Sequence, residues 1–398
     1  MAPALPRTSC FFAWFTRFAP LFVVLLVVLV YAPSLRVPFL FDDADAVLRN
    51  PTIRRLDGAV LHPPADGSTT TGRPVVNISY ALNYALSGEE VWSYHVLNVL
   101  IHALAALALL GLMRRTLVAL DPSALRFQPA LAGLVALLWA LHPLQTETVI
   151  CIAQRTEALG GLFYLVTLYA FARALADPNN VSRGWLLLSV AACLIGMASK
   201  EVMVTAPVLV LLYDRTFFSR SFAAAWRERR VFYFALAATW LLLIGLVLQN
   251  GGSRGVAAGF GLGLSSWSYL LKQAEGIVHY LRLSAWPHPL VLDYGTAVPA
   301  SLAEVWWQGG VVLALLGPVT PNVGQSYIVP AFLVVILGGL GSLVGTLIAA
   351  VLAGLVSALS QIFVDVSSSQ VLMLLFVVLF LQFRPQGVIA VRSRALDG

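Results

Sequence analysis

Charge is scarce in this chain: 11% of its 398 residues are Asp, Glu, Lys or Arg, against roughly 25% in ordinary soluble domains. A water-facing surface cannot be assembled from so few charges, so a soluble globular domain is excluded. Lysine is almost missing, with Lys200 and Lys272 alone, so arginine carries the net charge of +6. These arginines are scattered between apolar runs instead of gathering on one face with aromatics between them, which argues against a nucleic-acid partner. The 3 cysteines, Cys10, Cys151 and Cys193, lie in or beside apolar segments. There they read as small hydrophobes and say nothing of redox compartment.

What the chain has instead is hydrophobic residues, 59% of the total, in long runs at 20–32, 96–112, 130–141, 185–198, 231–248 and 327–359. Runs near 20 residues match a hydrocarbon core about 30 Å thick. The fold class expected is therefore all-α, a polytopic transmembrane helical bundle with roughly nine to eleven spans, its immediate partner the lipid bilayer. The stretch 266–310 mixes apolar and polar residues too evenly to parse. The first run follows Arg7 and Arg17, lacks a clear small-residue cleavage site after Tyr31 and precedes many further spans, so it reads as a retained signal anchor. With the N-terminus in the cytoplasm, crossings near 18–34, 92–113, 130–147, 158–174, 185–198 and 202–213 place Arg114, Arg115, Arg126, Arg173, Arg183 and the basic segment 214–230 inside. That is the pattern of a multi-pass cell-membrane protein, of the bacterial inner-membrane type.

The exception is the first outer loop, 35–73, where Arg36, Arg49, Arg54, Arg55 and Arg73 are offset by Asp42, Asp43, Asp45, Asp57 and Asp66. It is longer than a connection needs, and its first half, VPFLFDDADAVLRNP, is too apolar for a disordered tether. Asp42 and Asp43 follow Phe39, Leu40 and Phe41, which suit the membrane interface. Adjacent carboxylates there can act as a general base toward a hydroxyl, or hold a divalent cation with a phosphate; they also read as a solvated turn capping a short helix. Polar groups recur on the same side: Tyr94, His95, Asn98 and His102 along one helix, His142, Glu147, Arg155 and Glu157 around a turn, and the pair Lys200 and Glu201. Ionisable groups at membrane depth are costly and mark functional paths, although each alone also serves as glue between helices. Arg282, near Lys272 and His279, has the forked donors that suit a phosphate.

FDDADAVLRNP, RPVVNISYALNYALSGEEVWSYHVLNVLIHA, LHPLQTETVICIAQRTEALGGLFYLVTLYAF, ASKEVMVTAPVLVLLYDRTF and YLRLSAWPHPLVLDYG resemble, in order, the membrane domain of GT-C type O-mannosyltransferase-like proteins that usually carry tetratricopeptide repeats. The resemblance covers about residues 18–300. It implies a multi-span sugar transferase with a polyprenyl-phosphate sugar donor and an acidic pair acting on the acceptor. Carried over, Asp42 or Asp43 is the catalytic base, and Arg73, His95, His142, Arg155, Glu157, Lys200, Glu201 and Arg282 are donor-binding or scaffold residues. No cofactor is assigned with certainty, a divalent cation being the candidate and its ligands unknown. Gln145 departs from the pattern, which has a second histidine after His142-Pro143, and no helical-repeat domain follows.

From about Pro318 the text changes. GQSYIV, GGLGSLVGT and FRPQG resemble the last part of the permease subunits of urea and branched-chain amino-acid ABC importers. Gly338, Gly341 and Gly345 there would allow close helix packing. The chain is thus divided into 1–317, GT-C-like, and 318–398, permease-like. Three functions are expected: transfer of a lipid-linked sugar, import alongside an ABC ATPase and a second permease subunit, or an inactive fusion of the two.

Overall fold

A computed structural model describes residues 8–120, 128–177, 180–249, 266–291, 299 and 301–315, with the single positions 376 and 380. The expected helix-packing glycines at 338, 341 and 345, and the permease-like segment as a whole, lie outside the described residues.

Among the described residues there is no strand. The helices run α1 Thr8–Tyr31, α2 Pro74–Ser87, α3 Val91–Leu120, α4 Gln128–Ala140, α5 Gln145–Ile150, α6 Arg155–Ala174, α7 Arg183–Met197, α8 Ala206–Asp214, α9 Phe222–Gln249, α10 Ser266–Ala285 and α11 Leu302–Leu315. The chain divides into two compact units, Met1–Gly309 and Gly310–Gly398, and α1 to α10 all lie in the first. Four helical stretches are long and apolar enough to cross a membrane: Phe18–Arg36, Val91–Leu120, Glu201–Ser219 and Phe222–Gln249; Pro129–Ala140 and Arg183–Met197 are shorter apolar helices. The protein is an all-α membrane protein.

In lipid, helices associate through close van der Waals fit, because the tails are as apolar as leucine. The sequence provides that fit with small residues. Ala132, Ala136 and Ala140 of α4, four residues apart, are wholly buried with Val23, Val27 and Tyr31 of α1, on the same spacing, and with Val99, Ala103, Ala106 and Leu110 of α3. The opposite face of α1, with Leu21, Leu25 and Leu29, stays exposed, as a lipid-facing stripe should. The most apolar stretch of α3 is 56% buried, against 28% for that of α1 and 33% for that of α9, so α3 is the central post. Gly111 of α3 lies against the Tyr169 ring of α6, where any side chain would collide. Beyond α6, the Ser189 hydroxyl of α7 donates to the Thr167 carbonyl at 2.9 Å, and the Trp240 indole of α9 donates to the Val204 carbonyl at 3.0 Å.

Among the described residues two polar clusters stand out, one toward each end of the bundle. At one end, residues 32–73 fold back on themselves as short turns: 3-10 helices at Ala32–Arg36, Pro51–Ile53 and Gly58–Leu61 and a π turn at Ala44–Leu48. Asn50 and Asn77 lock this segment onto α2. The Asn50 amide donates to the Asn77 side-chain oxygen at 2.9 Å, while the Asn77 amide donates to the Val60 carbonyl at 2.8 Å. The layer continues past Arg73 through α2. It also takes in residues 141–154, because α4 stops at Ala140, before Pro143, and does not run on to 147 as the apolar text suggests. At the other end lie Thr116, Asp214 and the arginines after it. Thr116 and Tyr213 share a hydrogen bond of 2.7 Å, and helical rise puts Asp214 roughly 20–25 Å along the chain axis from Glu201.

Candidate functional site

Asp42 and Asp43 are neighbours in sequence and opposites in environment. Asp43 is 1% exposed, and both of its carboxylate oxygens are taken. One accepts the Leu40 amide at 2.9 Å; the other accepts the Ala153 amide at 2.6 Å and the Cys151 thiol at 3.5 Å. It pins the acidic turn to the short 3-10 turn just before α6, more than a hundred residues away. Asp42 is exposed. The residue before it, Phe41, has a φ of 45°, a left-handed conformation that a bulky side chain adopts only under constraint. The Asp43 anchor on the Leu40 amide supplies that constraint, and the result is a carboxylate held outward on a stiff turn.

A cleft of about 590 Å³ opens beside this turn. Leu40 forms part of its wall. Thr146, Glu147, Thr148, Cys151 and Gln154 come from α5 and the turn after it, Glu157 from α6, and Tyr280 and Leu283 from α10. The Gln154 amide donates to Glu147 at 3.2 Å, which orients the carboxylate along the wall. His142 closes the α10 side: its Nδ1 accepts the Leu144 amide at 3.2 Å, so the proton resides on Nε2, which donates to the Ser284 carbonyl at 3.1 Å. Arg282, between Tyr280 and Leu283 in sequence, is exposed. Among the described residues no group of three or more His, Cys, Asp or Glu side chains converges as a metal site.

Arg155 serves as a buried post. It is wholly buried, and among the described residues no carboxylate pairs with it. Instead, its Nε donates to the Asn98 side-chain oxygen at 2.7 Å, one terminal nitrogen donates to Asn83 at 2.7 Å and Ser79 at 3.2 Å, and the other donates to the Tyr94 carbonyl at 2.9 Å. The guanidinium carbon sits 4.6 Å from the centre of the Tyr80 ring, a favourable cation–π distance. One cation thereby ties α2, α3 and α6 together under the cleft.

Two ion pairs close the side facing the α7–α8 connection. The terminal nitrogen of Arg73 reaches both Glu201 oxygens, at 3.3 and 3.2 Å, while its other terminal nitrogen donates to the Thr69 carbonyl at 2.6 Å. Lys200 pairs with Glu157. Gly160 lies 3.1 Å, measured from an added Cβ, from the Lys200 side chain, so its missing side chain leaves room for that lysine. Burial pulls the Arg73 guanidinium below its ordinary range. Arg54, at the far edge, is shifted upward by its hydrogen bonds to Tyr84 and then Glu89. Burial pushes the Cys151 thiol up to about 12, and the negative charge of Asp43 adds to the shift.

The residues singled out from sequence thus meet at one end of the bundle, but not all at the cleft. Of the predicted residues Glu157 lines the cleft, His142 adjoins the lining residues Pro143 and Leu144, and Asp42 is two residues from Leu40 in its wall. Arg282 is exposed on α10, off the face that Tyr280 and Leu283 turn to the cleft. His95 is buried against the loop, its Nε2 at 2.9 Å from the Val37 carbonyl; Arg155, Arg73, Lys200 and Glu201 brace the walls. Sequence reasoning missed the buried amides Asn50, Asn77 and Asn83, which carry no charge to draw attention, and Tyr280, hidden in the unparsed stretch. Asn50 had one signal, its place before Pro51 at the end of the acidic motif.

The chain is similar to curated protein O-mannosyl-transferases. It is 30% identical over 203 residues to the mouse (Mus musculus) protein O-mannosyl-transferase TMTC1, a match covering 47% of this chain and 21% of that protein. To the human (Homo sapiens) protein O-mannosyl-transferase TMTC4 it is 27% identical over 214 residues, 49% of this chain and 29% of that protein. Mouse TMTC2 matches at 29% identity over 209 residues, 48% and 23% of the respective lengths. The chain therefore spans well under a third of the length of these relatives. No family model and no solved structure matches the chain.

Proposed function

We propose that this chain is a membrane glycosyltransferase-like protein that moves a sugar, of the mannose type, from a polyprenyl-phosphate donor to a hydroxyl-bearing acceptor on the non-cytoplasmic face. The observation that carries the reading is the exposed Asp42 carboxylate, held outward by the buried Asp43 beside a cleft at the polar end of an apolar bundle. The named activity of the similar O-mannosyl-transferases supports it.

In this reading Asp42 takes the proton of the acceptor hydroxyl as its oxygen attacks the anomeric carbon. The bond from that carbon to the phosphate oxygen breaks, and its electron pair leaves with the polyprenyl phosphate. Arg282, exposed on α10, is the group suited to the phosphate, while His142, with both ring nitrogens already engaged, holds α10 against the turn before α5. Asp43, His95 and Arg155 hold the geometry. The donor's chain remains in lipid along the exposed apolar faces, so only its headgroup has to enter the cleft.

The test is transfer of radiolabelled mannose from polyprenyl-phosphate mannose to serine- or threonine-containing peptides by the full chain in proteoliposomes. Asp42→Asn is expected to abolish transfer at unchanged expression and insertion. Wild-type protein that transfers from no lipid-linked sugar would overturn the proposal.

A further inference from the structure

The opposite end of the bundle carries a charge pattern that sugar transfer does not use. Between the membrane-crossing stretches Glu201–Ser219 and Phe222–Gln249, the segment from Asp214 to Arg230 holds five arginines and two acids. Both acids are committed to one arginine. Arg229 bonds Asp214 at 3.3 and 3.1 Å and pairs with Glu228 at 3.0 Å, while the wholly buried Asp214 also accepts the Ser219 hydroxyl at 2.8 Å and the Tyr233 hydroxyl. That knot fixes the α8–α9 corner: the helix kinks at Arg229, whose φ is −131°, and Arg220 sits in the left-handed region with φ 59°.

The other four arginines, Arg215, Arg220, Arg227 and Arg230, are all exposed, and among the described residues none pairs with a carboxylate. Arg215 lies over the Phe222 ring at 4.7 Å, and Phe222 and Trp226 are themselves exposed at 46% each. Exposed aromatics among unpaired arginines, between the ends of two stretches apolar enough to cross a membrane, belong by composition to the zone where lipid headgroups begin. A guanidinium there finds phosphate oxygens, and the rings settle among the upper acyl carbons.

We propose that the α8–α9 corner is a binding site for anionic phospholipid headgroups, with Arg215, Arg220, Arg227 and Arg230 as phosphate contacts and Phe222 and Trp226 as interfacial anchors. The site is independent of the sugar-transfer reading. Its chemistry requires two features together: both acids pair with Arg229, Asp214 buried and Glu228 at the surface, and the remaining cations are left toward the headgroups.

The test uses the full chain reconstituted in phosphatidylcholine vesicles containing a minor fraction of phosphatidylglycerol, then extracted in mild detergent, with the retained lipids quantified by mass spectrometry. Wild type should retain phosphatidylglycerol several-fold above its bulk share, and the enrichment should shrink as salt rises. Arg215→Gln, Arg220→Gln, Arg227→Gln and Arg230→Gln combined should bring the retained phosphatidylglycerol down to about its bulk share, since each juxtamembrane arginine is worth about fivefold. Arg49→Gln with Arg55→Gln, at the other end, should leave it intact. Wild type without salt-sensitive enrichment, or a folded fourfold variant that keeps it, would overturn the proposal. If the fourfold variant does not fold, the wild-type salt series and the four single variants decide in the same way.

Discussion

The two polar ends of this bundle handle positive charge in opposite ways. At the Asp42 end the cations of the wall are answered from within: Arg73 by Glu201, Lys200 by Glu157, Arg54 by Glu89, and Arg155 by amide and hydroxyl oxygens and two tyrosine rings. At the Arg215 end one arginine absorbs both acids and four are left over. On the proposed reading the Asp42 end holds a reaction, and such an end must fix its groups against one another, because a misplaced carboxylate or imidazole loses the transition state. An end that faces headgroups needs only surplus charge at the right depth, and flexible cations serve it well.

The contrast is open to direct attack, first at its strongest point. Arg155→Met strands the acceptors of Asn98, Asn83 and the Tyr94 carbonyl, and should destabilise the protein by about 1–3 kcal/mol for each stranded acceptor, read as loss of a cooperative thermal transition in detergent. A variant that melted like wild type would show that the web is ornamental. Asp43→Asn leaves two buried amides competing for one acceptor, and should cost about 1–3 kcal/mol in the same measurement.

A third probe is chemical. With Cys10→Ser and Cys193→Ala as background, Cys151 is the sole thiol. Burial and the Asp43 charge favour its neutral form, so its pKa is raised to about 12 and thiolate is depleted at neutral pH. Alkylation should therefore be slow at neutral pH and keep climbing about tenfold per pH unit past the value near 8.5 where an ordinary thiol levels off. Asp43→Asn should speed it. A rate that saturates at ordinary pH would place Cys151 away from the carboxylate. The smallest effect is expected from Arg49→Ala: its pair with Asp45 joins side chains 75% and 51% exposed, and the change should stay within about 0.5 kcal/mol.

Much of this was legible in the residues. Uncharged runs marked α1, α3, α7 and α9, the arginines marked one end, and the acidic loop, the histidines and the Lys200-Glu201 pair marked the other. What periodicity could not reveal was α2, whose apolar positions are interrupted by Asn77, Ser79 and Asn83, all of them spent on buried or part-buried hydrogen bonds. Nor could it separate Asp42 from Asp43. The difference comes from a backbone amide at Ala153, and a backbone group leaves no trace in a side-chain pattern. Arg155 stays open between donor binding and scaffold, because nothing local shows that its partners are neutral oxygens on two other helices.

The most direct measurement compares Asp42→Asn and Asp43→Asn in parallel, following sugar transfer from polyprenyl-phosphate mannose and thermal stability in one preparation. The account predicts that Asp42→Asn melts with wild type while its transfer falls by about a hundredfold or more, and that Asp43→Asn loses stability. Wild-type transfer by a folded Asp42→Asn protein would contradict it.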